Sequence, residues 1–183
     1  MESKIKSLEE LIPIVSARRK AGKSTIVFTN GCFDLLHIGH IRYLQEAKKL
    51  GDILIVGMNS DTSVRSLKKA HGRPIIPGEQ RAEVLSALEC VDFVVLFDAP
   101  DPLRLIESLL PDILVKGGDW SLDRIIGRDV VEAHGGMVCT LPLVPNVSTT
   151  GIIERIQSTD PQARRQNKHA TDKDPSAPSR TVP

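Results

Sequence analysis

The 183-residue sequence is poor in aromatic residues, with four Phe, one Tyr and one Trp. Aliphatic side chains must therefore fill most of the core, which suits a parallel sheet covered by helices. Cysteine is also rare, and the three cysteines, Cys32, Cys90 and Cys139, lack metal-ligand spacing. Because their number is odd, a disulfide framework is not indicated, and we expect reduced thiols in a cytoplasmic chain.

Two further absences narrow the class of partner. The sequence contains no apolar run of the roughly 18 residues that a membrane span needs, and residues 1–10 lack the apolar core of a signal peptide. The formal net charge of +1 lacks the basic excess of a broad nucleic-acid surface. We therefore expect neither a membrane nor a nucleic acid as a partner.

What is present is an alternation of short apolar runs with segments of helical periodicity. Strands are predicted for 24–29, 53–58, 93–97, 113–116 and 137–141, and helices for 7–20, 39–50, 79–89, 102–110, 123–134 and 149–157. This alternation predicts an α/β fold with a doubly wound, five-stranded parallel sheet. Ligands bind such sheets at the carboxyl ends of the strands, which here means the loops after Thr29, Met58, Lys116 and Leu141.

Composition divides the chain into three predicted segments: a helical extension over 1–24, a domain over 25–158 and a tail over 159–183. Ser7 and Glu10 have capping-box spacing at the first helix, which we interpret as a packing helix and a candidate contact for a homo-oligomer. The tail contains no aromatic residue, no Leu and no Ile. Because such a segment buries too little apolar area to offset chain entropy, we expect it to be disordered.

The segment 29–40 joins the end of the first predicted strand to the start of a helix. A helix N-terminus presents unpaired N–H groups and a partial positive charge, both of which favour phosphate. Gly31 and Gly39 allow the backbone to come close to a ligand. His37 and His40 lie three residues apart, so both can face one side and donate hydrogen bonds to phosphate oxygens. The segment therefore predicts a phosphate-binding helix start.

The full string, Thr29-Asn30-Gly31-Cys32-Phe33-Asp34 and then His37-Ile38-Gly39-His40, resembles the HIGH-motif nucleotidyltransferases of the cytidylyltransferase-like family. The resemblance covers roughly residues 25–156 and implies a Rossmann-like fold that binds a nucleoside triphosphate. The catalytic residues that it implies are His37, His40 and Lys68. The nucleotide-binding residues that it implies are Thr29, Asn30, Gly31, Phe33, Asp34, Gly39, Ser148, Thr149 and Thr150.

The resemblance also implies contacts with the second substrate at other strand ends. These residues are Asn59, Arg73, Arg81, Lys116, Gly118 and Asp119. Several carry a second interpretation: the turn at Asn59 can be a helix cap by Ser60 or Asp61, and Arg81 can belong to a structural ion pair. Trp120 is open to ligand stacking or to packing in a lid. Asp34 is placed to orient a histidine or a ribose, or to assist a metal.

Within the family, one subgroup is matched by the whole set of motifs at 28–37, 56–61, 72–75, 115–119 and 148–150. This set is similar to that of the heptose 1-phosphate adenylyltransferases. This similarity implies transfer of AMP from ATP to D-glycero-β-D-manno-heptose 1-phosphate, giving ADP-heptose and pyrophosphate for lipopolysaccharide inner-core synthesis. It also implies Mg²⁺, brought mainly with the nucleotide. Such enzymes occur alone or as the carboxyl half of a bifunctional kinase–adenylyltransferase, and we expect the stand-alone form here.

Two rival functions stay open. The first is a cytidylyltransferase that acts on glycerol 3-phosphate or a similar alcohol phosphate. That branch has an Arg shortly before its Ser-Thr-Thr motif, where this chain has Leu143 and Val144, and this difference weakens the assignment. The second is a non-catalytic nucleotide-binding module, which the presence of both histidines and both lysines disfavours.

Overall fold

The computed structural model describes residues 3–22, 24–67, 72–118 and 120–159. Lys68, Asp119 and the predicted tail beyond Thr159 lie outside the described residues. The strands of the described chain are β1 (Ile26–Gly31), β2 (Ile53–Asn59), β3 (Phe93–Phe97), β4 (Ile113–Gly117) and β5 (Met137–Leu141). Its α-helices are α1 (Leu8–Lys20), α2 (Ile38–Lys48), α3 (Asp61–Ser66), α4 (Gly78–Ser86), α5 (Leu103–Leu109), α6 (Arg128–Ala133) and α7 (Thr149–Thr159).

The strands form one sheet in the order β3-β2-β1-β4-β5, and all neighbouring strands run parallel. The predicted α/β class with a five-stranded parallel sheet is therefore confirmed. The chain builds outward from β1 to β2 and β3 and then returns to place β4 on the other side of β1. The switch point of this doubly wound sheet thus lies between the carboxyl ends of β1 and β4.

Side chains of the central strands alternate between two apolar clusters. Ile26 and Phe28 of β1 join a cluster that includes residues of α1, α5 and α6. Val27 joins the other cluster, together with residues of α2 and α4. Most members of both clusters are aliphatic, as the scarcity of aromatic residues predicted. Helices therefore cover both faces of the sheet, and the loops that follow the strands gather at its carboxyl edge.

The N-terminal region contains the predicted helix cap and, before it, a segment that pairs with the sheet. The Glu10 amide donates to Ser7 Oγ at 3.2 Å, and the Ser7 amide donates to Glu10 Oε2 at 2.7 Å, which completes the predicted capping box. Ahead of this box the chain is extended, and Ile5 pairs in parallel with Val94 of β3. The predicted helical extension therefore also contains a segment that covers the edge of the sheet.

Two predicted elements differ in the structure. The region after β2, predicted as a loop, forms α3, and Ser60 caps its first turn. The single helix predicted over 123–134 is a 3-10 turn, Leu122–Arg124, followed by α6. The break lies at Gly127, whose φ of +86° is incompatible with a continuous helix. A Cβ at Gly127 would also lie 2.5 Å from Ile106 Cδ1, so close packing accounts for the glycine.

The described chain divides into two compact units, at residues 145 and 146. The sheet and α1 to α6 belong to the first unit, and α7 belongs to the second. The three-part division at 1–24, 25–158 and 159–183 stays a prediction. Among the described residues, no helix is long and apolar enough to cross a membrane.

Candidate active site

A hydrogen bond joins the two strand ends at the switch point of the sheet. Asn30 lies near the end of β1 and Lys116 near the end of β4, and Lys116 Nζ donates to Asn30 Oδ1 at 2.5 Å. Lys116 is 8% exposed, so its ammonium group is largely removed from water. The structure therefore brings together two residues that the sequence predicted separately, in the place where doubly wound sheets bind ligands.

The two histidines of the motif stack on each other at the start of α2. His37 is the N-cap residue, and its Nδ1 accepts a hydrogen bond from the His40 amide at 3.4 Å. The ring centroids are 3.9 Å apart with an interplanar angle of 17°. The ring of Phe33 meets the His40 ring edge-on, with centroids 5.3 Å apart. Both imidazoles are thus held by the motif itself, beside the free amides of a helix N-terminus.

The surroundings of the histidines keep both rings uncharged near neutral pH. Burial, followed by the neighbouring His37 and Arg73, lowers the pKa of His40 to about 4, against a backbone hydrogen bond at Leu35 that raises it. Burial also lowers the pKa of His37, against a hydrogen bond to its own backbone. A neutral imidazole carries one N–H donor and no net charge. The two rings can therefore stack without like-charge repulsion, and their contacts with phosphate oxygens stay a prediction.

Asp34 positions the loop that follows α3. Its Oδ2 accepts from Arg73 Nε at 2.9 Å, while its Oδ1 accepts from the amides of Ile75 and Ile76 at 2.8 and 3.0 Å. The Asp34 side chain is 0% exposed and that of Arg73 is 11% exposed. Asp34 therefore places the Arg73 guanidinium close enough to His40 to affect its pKa. Direct nucleotide contact by Asp34 stays a prediction, and in this arrangement the carboxylate acts through Arg73.

The carboxylate of Asp34 is also the acidic group that the sequence suggested could assist a metal ion. Both oxygens of Asp34 already accept hydrogen bonds. Among the described residues, no group of three or more His, Cys, Asp or Glu side chains is arranged to hold a metal ion.

Arg81 lies wholly inside the protein and connects four segments. Its guanidinium donates to the carbonyl oxygens of Ile76, Cys32 and Asn59 at 2.9, 2.5 and 3.0 Å. It also donates to Asp61 Oδ1 at 2.7 Å, and its side chain is 0% exposed. The structural ion pair, one of the two interpretations of Arg81, is present. Substrate contact by Arg81 would require this network to open, and it stays a prediction.

Asn59 and Thr29 also turn inward. Asn59 Nδ2 donates to Ser63 Oγ at 2.9 Å, and this joins the end of β2 to α3. Thr29 Oγ1 lies 2.7 Å from the hydroxyl of Tyr43, which donates to the carbonyl oxygen of Val115 at 3.1 Å. The first contact fixes the end of β2 against α3, and the second fixes the ends of β1 and β4 against α2. Ligand contacts by the two side chains stay predictions.

A turn after β4 places an aromatic ring beside the buried lysine. The Gly118 amide donates to the Leu141 carbonyl oxygen at 2.8 Å, which ties the turn to β5. Lys116 Nζ lies 5.3 Å from the centroid of the Trp120 ring, within cation–π range. Lys68 and Asp119, which were also predicted as site residues, lie outside the described residues.

The cytidylyltransferase-like family profile matches residues 28–155, which is more than half of the chain. The chain belongs to the cytidylyltransferase-like family. This finding confirms the resemblance drawn from the histidine motif and, with it, the nucleotidyltransferase class. The matched segment contains most of β1, all of β2 to β5 and every predicted site residue.

Individual relatives agree with this membership. The bifunctional protein HldE of Geotalea uraniireducens (strain Rf4) is 55% identical over 157 residues, covering 86% of this chain and 32% of the relative. HldE of Geobacter sulfurreducens (strain ATCC 51573 / DSM 12127 / PCA) is 53% identical over 155 residues, covering 85% and 31%. This chain therefore spans about a third of the length of these relatives.

A solved structure supports the same fold. The lipopolysaccharide core biosynthesis protein from Thermoplasma volcanium GSS1 is 32% identical, with a TM-score of 0.55. The match covers 66% of this chain and 97% of that one.

The cytidylyltransferase-like chain carries its Ser-Thr-Thr motif at the start of α7, in the second unit. Ser148 Oγ accepts a hydrogen bond from the Gly151 amide at 3.0 Å, so Ser148 caps the first turn. Thr149 and Thr150 are the first two residues of the helix. Phosphate contacts by these three residues, and by Gly31, Phe33 and Gly39 in the first unit, stay predictions.

Two residues of the site network were not predicted from the sequence. Tyr43 follows His40 by three residues in α2 and links β1 to β4, and Asp61 holds Arg81. The lone tyrosine at helical spacing from the motif was a usable signal. Asp61 carried no comparable signal, because a helix-capping position explains it equally well.

Proposed function

We propose that this chain transfers AMP from ATP to D-glycero-β-D-manno-heptose 1-phosphate, releasing ADP-heptose and pyrophosphate. The stacked, uncharged pair of His37 and His40 at the start of α2 carries the proposal. The similarity of the motifs to heptose 1-phosphate adenylyltransferases supports the choice of ATP and of heptose. The HldE relatives support it as well, since their bifunctional name and greater length fit a chain that corresponds to one of two catalytic parts.

The reaction needs positioning and charge stabilisation more than it needs a base. An oxygen of the sugar phosphate attacks the α-phosphorus in line, and the bond from the α-phosphorus to the oxygen bridging to the β-phosphate breaks. Pyrophosphate leaves with the electron pair of that bond. Because the attacking phosphate is already an anion, no proton has to be removed first. Such catalysis depends on orientation and on donors aimed at the developing charge.

The histidine pair is suited to the α-phosphate and the leaving-group side. Neutral imidazole rings can stack with their centroids 3.9 Å apart without like-charge repulsion, which two imidazolium rings could not. The N-terminus of the 11-residue helix α2 adds a partial positive charge in the same place. Arg73, held by Asp34, adds a permanent charge beside His40.

Other residues are assigned to the remaining phosphate groups of the substrates. Lys116, at the switch point, is proposed to hold the acceptor phosphate, for which its bond to Asn30 fixes the ammonium group. Lys68 is proposed to neutralise the triphosphate. Ser148, Thr149 and Thr150, at the start of α7, are proposed to hold the pyrophosphate end through hydroxyl and amide donors.

We propose that a divalent ion, expected to be Mg²⁺, reaches the site on the phosphate oxygens of the nucleotide. This fits the described residues, which offer no three-residue metal cage. Mg²⁺ commonly binds through substrate phosphates and only a few protein ligands. A cytoplasmic location and homo-oligomer formation through α1 belong to the same proposal, as expectations from the sequence.

A steady-state assay of pyrophosphate release tests the proposal. The protein is supplied with ATP or CTP and with heptose 1-phosphate or glycerol 3-phosphate, in all four combinations. We expect release with ATP and heptose 1-phosphate to exceed the other three by at least about tenfold in kcat/KM, the scale set by 1.4 kcal/mol of discrimination. Preference for CTP with glycerol 3-phosphate would make the chain a cytidylyltransferase. No release in any combination would favour a non-catalytic module.

A further inference from the structure

Trp120 is a large aromatic side chain left in contact with solvent. It is the only tryptophan in the chain and is 43% exposed. Among the described residues, it belongs to neither apolar cluster. Since an indole ring gains much from burial, a half-exposed tryptophan beside a ligand edge calls for an explanation other than core packing.

Backbone hydrogen bonds fix the turn that carries this ring. The Trp120 amide donates to the Gly117 carbonyl oxygen at 3.1 Å, and the Gly118 amide donates to Leu141 at 2.8 Å. A Cβ at Gly118 would lie 3.2 Å from the Leu141 carbonyl oxygen, so the turn approaches β5 closely. Trp120 is therefore held at the carboxyl ends of β4 and β5, on the ligand edge of the sheet.

Lys116 connects the ring to the switch point. Its Nζ lies 2.5 Å from Asn30 Oδ1 and 5.3 Å from the centroid of the Trp120 ring. The two contacts place the indole beside the ammonium group that is proposed to hold the acceptor phosphate. A phosphate bound at Lys116 would bring the sugar esterified to it next to the exposed part of the ring.

We infer that Trp120 binds the sugar of the acceptor and selects ring-shaped sugar phosphates over acyclic alcohol phosphates. The inference rests on the proposed function. A pyranose has an apolar face of C–H groups that can pack on an indole, whereas glycerol 3-phosphate has no ring to pack. Aromatic side chains commonly line small-molecule sites in this way, beside a few charged groups that fix orientation.

Enzyme kinetics on matched variants test this selectivity. Trp120→Leu removes the aromatic face, Trp120→Phe retains one, and Leu122→Ala removes a neighbouring side chain that is 44% exposed. For Trp120→Leu we expect the KM for heptose 1-phosphate to rise about three- to tenfold, the scale of one aromatic packing contact. The KM for ATP and the inhibition constant of glycerol 3-phosphate should stay unchanged. Trp120→Phe should recover most of the loss, and Leu122→Ala should behave as wild type.

Two kinetic results would overturn the inference. An unchanged KM for heptose 1-phosphate in Trp120→Leu would mean that the ring does not contact the sugar. Equal weakening of heptose 1-phosphate and glycerol 3-phosphate would mean that the ring only positions Lys116, because both ligands share the phosphate group.

Tryptophan fluorescence separates this inference from the proposed function. Because the chain has one tryptophan, its emission reports on Trp120 alone. Heptose 1-phosphate, added with α,β-methylene-ATP, should change the emission, while glycerol 3-phosphate should leave it constant. Absence of pyrophosphate release by the wild type would contradict the proposed function, whereas an emission that ignores heptose 1-phosphate would contradict the role of Trp120.

Discussion

His40 and His37 illustrate how the surroundings of a residue decide its chemistry. Burial comes first among the causes that hold His40 uncharged, followed by its neighbours His37 and Arg73. The motif could be recognised from the string of residues 29–40, but the stacking and the charge state could not. The charge state depends in part on Arg73, which lies 33 positions after His40 in the sequence and is held beside it by Asp34.

At this scale, the first prediction concerns turnover. His40→Ala should lower kcat by about 10²-fold or more while the fold survives, which is the scale of losing one donor to transition-state charge. Steady-state pyrophosphate release measures the effect, and His134→Ala, at an exposed position outside the site, serves as the control. Near-normal turnover by His40→Ala would refute the assigned role.

The second residue-scale prediction concerns pH. The pKa of His40 is about 4 in the folded protein and ordinarily 6.5, so the unfolded chain takes up the proton at higher pH. The stabilisation from uncharged His40 is therefore complete above pH 6.5 and is lost as the pH falls towards 4. The difference in pKa corresponds to at most about 3 kcal/mol.

His40→Asn should remove this dependence, so its free energy of unfolding should fall less steeply than that of the wild type between pH 6.5 and 4. Denaturant titrations at several pH values measure both slopes. Parallel curves for His40→Asn and the wild type would show that burial of His40 does not govern acid stability.

At the scale of elements, the periodicity of apolar residues predicted most helices and strands but did not predict the break in the helix at 123–134. The bounds of β3 and β5 match the prediction, because apolar runs flanked by charged residues, Pro or Gly define a buried strand well. The helix predicted over 123–134 is broken at Gly127, because the backbone there must fit against Ile106. Periodicity contains no information about such a distant contact.

This break gives an element-scale prediction with a built-in control. Gly127 and Gly135 both have positive φ, of +86° and +77°, so alanine strains the backbone at each. Only at Gly127 would the new Cβ collide with Ile106, whereas nothing lies within 4 Å at Gly135. Gly127→Ala should therefore lower the free energy of unfolding by about 1–3 kcal/mol more than Gly135→Ala, the scale of overpacking. Equal losses in denaturant titrations would show that the contact with Ile106 relaxes freely.

At the scale of the whole molecule, local sequence patterns were enough to predict the fold class and the family. The roles of individual residues also depend on long-range contacts, which the sequence does not reveal. Arg81 joins the ends of β1 and β2 to α3 and to the loop before α4, through Cys32, Asn59, Asp61 and Ile76. The sequence left Arg81 open between substrate contact and an ion pair, because either role suits an arginine at a strand end. Only the folded chain, in which the side chain is fully buried, favours the second.

A competition assay tests the central claim most directly. Equimolar ATP and CTP are mixed with equimolar heptose 1-phosphate and glycerol 3-phosphate, and the products are identified by mass for the wild type and His40→Ala. We predict that ADP-heptose dominates the products of the wild type and falls about 10²-fold in the variant. CDP-glycerol as the main product would contradict the proposed function. ADP-heptose formed equally by both proteins would contradict the catalytic role of the histidine pair.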